Sequence, residues 1–321
     1  MRVLITGMGG ELGSRVAQLL EDDPRVEEVS GLDFVPPRRR LRRSRFRRVD
    51  LSGLDAAADF VAEMAPEVVL HLGVYEPHAR SSPVGAAERT ANTSVAVLGA
   101  AARTGTLRRV VVRSGIEVYG RGRRRPSVPD ELVPPEPSSL FGRICLEAEQ
   151  VAAAMSRRLD VPLTTLRLAP VVGSHVPSPL GRVLRLPIVP VSIVSDPPFC
   201  MVHVEDAAAA FAAVAHGDRG GVLNVVAPGA ATPWQAVRLG GRVPFPILGR
   251  GWEVARRFAE LAGAPVPTHV VELLRRGRTA DGARARSIIG LHDMRDAQAI
   301  LAELFEWASV TPIASAQTRV A

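Results

Sequence analysis

The first residues able to do chemistry form a glycine-rich turn, Gly7-Met8-Gly9-Gly10-Glu11-Leu12-Gly13. An apolar run at residues 2–6 precedes it, and a helical pattern carrying Val16, Leu19 and Leu20 follows. Strand, glycine turn and helix in that order build a phosphate cradle. Glycines let the backbone turn tightly and approach a pyrophosphate, and the helix start offers free N–H groups and the positive end of its dipole. The spacing alone is weak evidence, because dense glycine also marks ordinary turns. Asp33 strengthens it: it stands at the carboxyl end of a second strand, residues 29–33, and lies 20 residues past Gly13. A carboxylate there can accept both ribose hydroxyls of an adenosine. Its bland alternative is a solvated turn residue.

Composition limits the remaining chemistry. The 321 residues carry a net charge of +7, and all 40 basic residues are arginine. No lysine can therefore serve as a catalytic group. Eight of the eleven residues at 38–48 are arginine, and Arg121, Arg123, Arg124 and Arg125 form a second cluster. Phe46 is the only aromatic among them, so both read as solvated loops rather than nucleic-acid sites. Arginines at 38–40 follow Asp33 closely enough to meet a 2′-phosphate, which would admit NADP. The two cysteines, Cys145 and Cys200, suggest no disulfide framework and a reducing compartment, with cytoplasm as the default. A first strand at residue 2 leaves no room for a signal peptide. No apolar run reaches 18 residues, so a membrane span is not expected. No metal site is read.

Alternating strand and helix signals must position these residues. Strands are expected at 2–6, 29–33, 46–50, 67–73, 109–114, 163–168, 199–204 and 222–226. Helices are expected after Gly13 and at 54–64, 90–102, 146–159 and 205–215. That alternation predicts an α/β fold: a Rossmann-type doubly wound parallel sheet with a smaller, mostly helical C-terminal substrate region. Residues 1–168, completed by about 199–228, would form the dinucleotide-binding part. Residues 169–198 and 229–310 would form the substrate region, with a frayed tail at 311–321. Ligands of such sheets sit at the carboxyl ends of the strands.

Several segments together resemble the extended short-chain dehydrogenase/reductase family, the NAD-dependent epimerases and dehydratases. Residues 6–13 are similar to that family's cofactor loop, and Asp50-Leu51 to its adenine-contacting pair. His71-Leu72-Gly73-Val74 resembles its His-Leu-Ala-Ala strand end, and Asn92 falls at its helix asparagine. Ser114-Gly115-Ile116-Glu117-Val118-Tyr119-Gly120, Arg167-Leu168-Ala169-Pro170 and Met201-Val202-His203-Val204-Glu205-Asp206 resemble later family segments, in order. The resemblance runs from residue 2 to about 230. It implies NAD held by Gly7, Gly10, Glu11, Leu12, Gly13, Asp33, Asp50, Leu51, Leu72, Gly73, Val74, Ser114, Phe141 and Pro170. It also implies a two-fold homodimer interface on the helices near 90–102 and 146–159.

The departures bear on activity. The family uses a serine or threonine, a tyrosine as acid/base and a lysine four residues after it. Here those positions are Gly115, Phe141 and Cys145. A shifted alignment cannot restore them: the only tyrosines are Tyr75 and Tyr119, and lysine is absent. The chain thus resembles an atypical branch that keeps the nucleotide site and lacks the triad. Glu117 and Tyr119, on the loop of the lost serine, are the candidate replacements, against readings as a paired loop carboxylate and a packing residue. His78 is a weaker candidate. Two readings stay open: redox chemistry on a nucleotide sugar or related hydroxylated substrate, or a non-catalytic NAD(P)-binding sensor or docking protein. A peripheral membrane role for Trp252, Val254, Phe258 and Leu261 ranks below core packing of their helix.

Overall fold

The computed structural model describes residues 1–49, 54–78, 81–122, 125–174, 176–217, 220–249, 251–261 and 265–306. Asp50, Leu51 and the segment 311–321 lie outside them. The strands in chain order are β1 (Arg2–Thr6), β2 (Glu28–Asp33), β3 (Arg45–Arg48), β4 (Val68–His71), β5 (Arg109–Gly115), β6 (Leu163–Leu168), β7 (Val171–Val172), β8 (Ile188–Ser192), β9 (Val202–His203), β10 (Gly221–Val225) and β11 (Val243–Ile247). The helices are α1 (Glu11–Glu21), α2 (Leu54–Met64), α3 (Pro83–Arg103), α4 (Leu140–Leu159), α5 (Pro179–Leu184), α6 (Val204–Ala215), α7 (Pro233–Leu239), α8 (Gly251–Leu261), α9 (Thr268–Arg276), α10 (Ala283–Ile289) and α11 (Ala297–Glu306).

Seven strands form one parallel sheet in the order β10-β6-β5-β4-β1-β2-β3. The winding direction changes at β1, whose Thr6 pairs with Leu32 on one side and His71 on the other. The carboxyl ends of β1, β2 and β4 therefore open one crevice, the position where such sheets bind ligands. Their central residues Val3, Leu4, Ile5, Val69 and Leu70 are fully buried, as strands covered by helices on both faces must be. Below the crevice runs an unbroken polar chain. Gly73 N–H donates to Thr6 Oγ1 (2.9 Å), Thr6 O–H to His71 Nδ1 (2.9 Å), His71 Nε2–H to Ser94 Oγ (2.8 Å) and Ser94 O–H to the Thr90 carbonyl (2.7 Å).

The helix starts differ from expectation for local reasons. Ser82 caps α3 by accepting from Gly85 N–H, and Pro83 fits its first turn, so the helix begins at Pro83 and not near 90. Ser139 caps α4 in the same way through Gly142 N–H, which adds the turn carrying Leu140 and Phe141. The strand expected at 199–204 shrinks to Val202–His203, because His203 Nδ1 accepts from Glu205 N–H and Val204 already starts α6. A second group of buried side chains, including Leu180, Val191, Trp252, Leu274 and Leu304, joins α5, α7, α8, α9 and α11 to the β8–β11 ribbon. β11 falls within 229–310, where the sequence pattern predicts mostly helix. Its Pro244 and Pro246 are tolerated because the two-stranded ribbon asks only for alternate N–H groups.

Candidate cofactor cleft and reaction centre

The glycine turn is built for close approach. Gly7 adopts φ +71° and donates to the Leu32 carbonyl at 3.0 Å; a Cβ there would stand 2.9 Å from the Leu72 carbonyl carbon. A Cβ at Gly13 would collide with the Gly7 carbonyl and lie 2.7 Å from Met8 Cα, so this glycine sets how closely α1 approaches the turn. Gly10 differs. Its nearest neighbour would be the Gly7 oxygen at 3.5 Å, so the surface above it is open. Gly10 also starts α1 with no side-chain cap. An open glycine before an uncapped helix start fits an anionic diphosphate.

Asp33 completes this end of the crevice. Its Oδ2 accepts from Gly9 N–H (2.9 Å), and its Oδ1 from Phe34 N–H (2.7 Å) and the Tyr75 hydroxyl (3.0 Å). It is 2% exposed, and burial raises its pKa against the lowering effect of those donors. Gly7, Gly10, Glu11, Leu12, Gly13, Asp33, Leu72 and Val74 line one cavity of about 180 Å³, together with Tyr75, Glu76, His78 and Arg113. The other expected contacts are placed elsewhere. Gly73 crosses Thr6, Ser114 Oγ donates to Glu149 Oε1 (2.5 Å), and the Pro170 carbonyl accepts from Val202 N–H (3.1 Å). Phe141 lines an adjoining cavity of about 460 Å³, to which His78 and Ser81 also belong. Asn92 is exposed on α3.

In the arginine loop, Arg39 is committed to Glu11 through Nε (2.7 Å) and Nη2 (2.6 Å). Arg38 donates its N–H to Ser14 Oγ (3.0 Å), and Arg40 gives its carbonyl to Gln18 Nε2 (3.1 Å).

The three positions assigned to the triad converge at the end of β5 and the start of α4. The Glu117 carboxyl lies over Gly115, where a Cβ would overlap Oε2 and stand 3.5 Å from Cys145 Sγ. A 3₁₀ turn, Ile116–Tyr119, folds that side chain back. Glu117 is 4% exposed, and burial raises its pKa, partly offset by Arg278 and His269. Burial also pushes the Cys145 thiol well up, reinforced by Glu117, which leaves no thiolate nucleophile. Tyr119 donates its hydroxyl to Asn224 Oδ1 (2.8 Å) and accepts from Arg167 Nη1 (3.0 Å). Arg167 also grips Glu149 with Nε (2.9 Å) and Nη2 (2.8 Å).

Two residues that carried no sequence signal enter here. His269 packs its ring on Phe141, centroids 5.0 Å apart and planes at 42°, and its Nε2 lies 2.8 Å from Glu76 Oε1. Glu76 follows β4 and His269 opens α9, so no local motif links them. In α8, Trp252 is 3% exposed and Val254 53%, so the two do not share a face. Among the described residues no helix is long and apolar enough to cross a membrane, and no cluster of histidine, cysteine or carboxylates could hold a metal.

A parallel sheet with a cradle at its switch point defines a dinucleotide-fold protein. Residues 3–226 match the NAD dependent epimerase/dehydratase family, and the chain belongs to it. Uncharacterized proteins of Mycobacterium tuberculosis and Mycobacterium bovis are 28% identical over 330 residues, covering 97% of this chain and 85% of theirs. MoeE5, solved in complex with UDP-glucuronic acid and NAD, superposes with a TM-score of 0.72 at 25% identity, over 96% of this chain and 99% of that one. TunA, an NAD dependent NDP-hexosamine 5,6-dehydratase of tunicamycin biosynthesis, gives 0.73 at 21%, over 97% and 99%. UDP-glucose 4-epimerase from Thermotoga maritima gives 0.71 at 20%, over 96% and 98%.

Proposed function

We propose that this protein binds NAD and carries out redox chemistry on a nucleotide sugar or a related hydroxylated substrate without the usual tyrosine and lysine. The observation that carries the reading is the cradle itself: an open Gly10 before an uncapped helix, with Asp33 at the adjacent strand end. Gly7, Gly10 and Gly13 would receive the diphosphate, and Asp33 the adenosine ribose. NAD, when bound, supplies a hydride acceptor. The solved relatives named above, with UDP-glucuronic acid and UDP-glucose in their sites, support the substrate class. Glu117 fills the space beside Gly115, and with its pKa raised by burial it would be the group there to exchange a proton. A shared two-fold interface and a cytoplasmic setting belong to the same reading.

One observation favours the second reading, a non-catalytic NAD sensor: both named replacements are held away from solvent, Tyr119 at 3% and Glu117 at 4% exposure. Calorimetry with NAD and NADP tests the cofactor; no heat at millimolar ligand removes both readings. NADH absorbance with UDP-glucose and UDP-glucuronic acid, for wild type and Glu117→Gln, separates them. Turnover supports the enzyme, and a slower Glu117→Gln gives that residue a role. Tight NAD binding with no turnover, joined to a cofactor-dependent change in oligomer, supports the sensor.

A further inference from the structure

We propose that His269, oriented by Glu76, is the proton acceptor of the reaction centre, replacing in space the tyrosine that Phe141 lacks. The inference rests on the redox reading above. Its ground is a convergence of three segments: the loop after β4 with Glu76, the first turn of α4 with Phe141, and the first turn of α9 with His269. Glu76 and His269 are 193 residues apart in the chain.

The His269 ring lies 5.0 Å from that of Phe141, tilted by 42°, beside the position the resemblance gives to the family's acid/base, and both line the same cavity of about 460 Å³. Phenylalanine cannot exchange a proton, but its ring gives the imidazole a flat wall. Glu76 Oε1 accepts from His269 Nε2–H at 2.8 Å, so the proton sits on Nε2 and Nδ1 keeps its lone pair. The carboxylate then steadies the positive charge that the ring acquires, the arrangement by which a third group orients a histidine base. The His269 side chain is 5% exposed and Glu76 27%, so the pair is shielded but not sealed. The charged groups around it are Glu117, whose carboxyl is influenced by His269, Glu76 and Arg278, and Arg256 on the cavity wall.

The step balances. His269 Nδ1 would accept the proton of the substrate hydroxyl, and bound NAD would supply the acceptor for the hydride leaving the same carbon, so that the hydroxyl becomes a carbonyl. The reverse direction returns the same proton. The alternative role is a staple that merely fixes α9 to the Rossmann part. A staple would affect stability and not proton transfer.

The test compares wild type, His269→Asn and Glu76→Gln. NAD affinity by calorimetry and the melting temperature serve as controls. Diethylpyrocarbonate labelling of His269, mapped by mass spectrometry, reads the ring without turnover. We expect labelling in the wild type, slowed at least tenfold by NAD with UDP-glucose. We expect NADH formation by His269→Asn to drop at least 100-fold in kcat with KM within about threefold, partly rescued by added imidazole in His269→Gly. Glu76→Gln should lose about tenfold. Unlabelled His269, or labelling that NAD with UDP-glucose leaves unchanged, overturns the proposal, as does wild-type kcat in His269→Asn. Absence of NAD binding by the wild type instead defeats the cofactor reading, while the labelling without ligand still reports whether the ring faces the cavity.

Discussion

The Glu117 carboxyl lies directly over the Cα of Gly115, in the space a side chain at 115 would need. The position that the resemblance gives to a serine is therefore not merely vacant: the Glu117 carboxyl takes up the space beside it. Gly115→Ser must displace the Glu117 carboxyl, the end of a flexible but buried side chain, and should destabilise the protein by about 1 kcal/mol, the low end of overpacking costs. Removing the obstacle in Gly115→Ser/Glu117→Ala should recover most of that loss. Urea unfolding of the single and double variants measures it, and a neutral Gly115→Ser would contradict the overlap.

The cradle predicts a graded cofactor response. Asp33→Asn should weaken NAD binding about 10- to 100-fold, because hydrogen bonds to a charged acceptor contribute about 1.5–3 kcal/mol. Tyr75→Phe should act oppositely and modestly, since its hydroxyl takes up a lone pair on Asp33 that a ribose hydroxyl would use. Glu11→Gln should release Arg39 and raise NADP affinity relative to NAD. Titration calorimetry with both cofactors checks all three variants.

His71 predicts an acid limit. Its hydrogen-bonded chain needs a bare Nδ1, and complete burial lowers its pKa from 6.5 to about 4. The unfolded chain therefore takes up this proton first. Stability is fully present above pH 6.5 and declines as pH falls toward 4, by about 3 kcal/mol in all. His71→Asn should be less stable at pH 7 and lose less between pH 6.5 and 4. Melting curves at both ends of that interval decide it.

The Arg167–Glu149 pair should behave as a buried ion pair. Arg167 is 4% exposed and Glu149 11%, and the arginine also supports Tyr119 through Nη1. Glu149→Gln leaves a buried guanidinium short of its counter-charge and should cost about 3–5 kcal/mol. Replacing Tyr119 by phenylalanine should cost less, about 1–3 kcal/mol, because the ion pair survives and only the hydroxyl's bonds to Asn224 Oδ1 and Arg167 Nη1 are lost. Chemical denaturation of both variants measures the difference.

Much of this protein was determined by local sequence. The turn at 7–13 could be read because glycine spacing acts within a few residues, and Asp33 because a strand end lies a set distance beyond. That Tyr75 and Tyr119 are the only tyrosines and that lysine is absent was a matter of inventory. The alternation of strand and helix determined the parallel sheet, since short-range periodicity encodes burial on both faces. Tertiary structure decided the rest. Ser82 and Ser139 moved two helix starts through caps that a periodicity reading passes over. β11 exists because β8, more than fifty residues earlier, offers it an edge. The 3₁₀ turn after β5 placed Glu117 over Gly115, though two residues of sequence alone do not say where a side chain folds. Glu76 and His269 meet only because α9 packs beside the first turn of α4. Such a contact depends on how whole elements share a core, and no spacing in the chain records it.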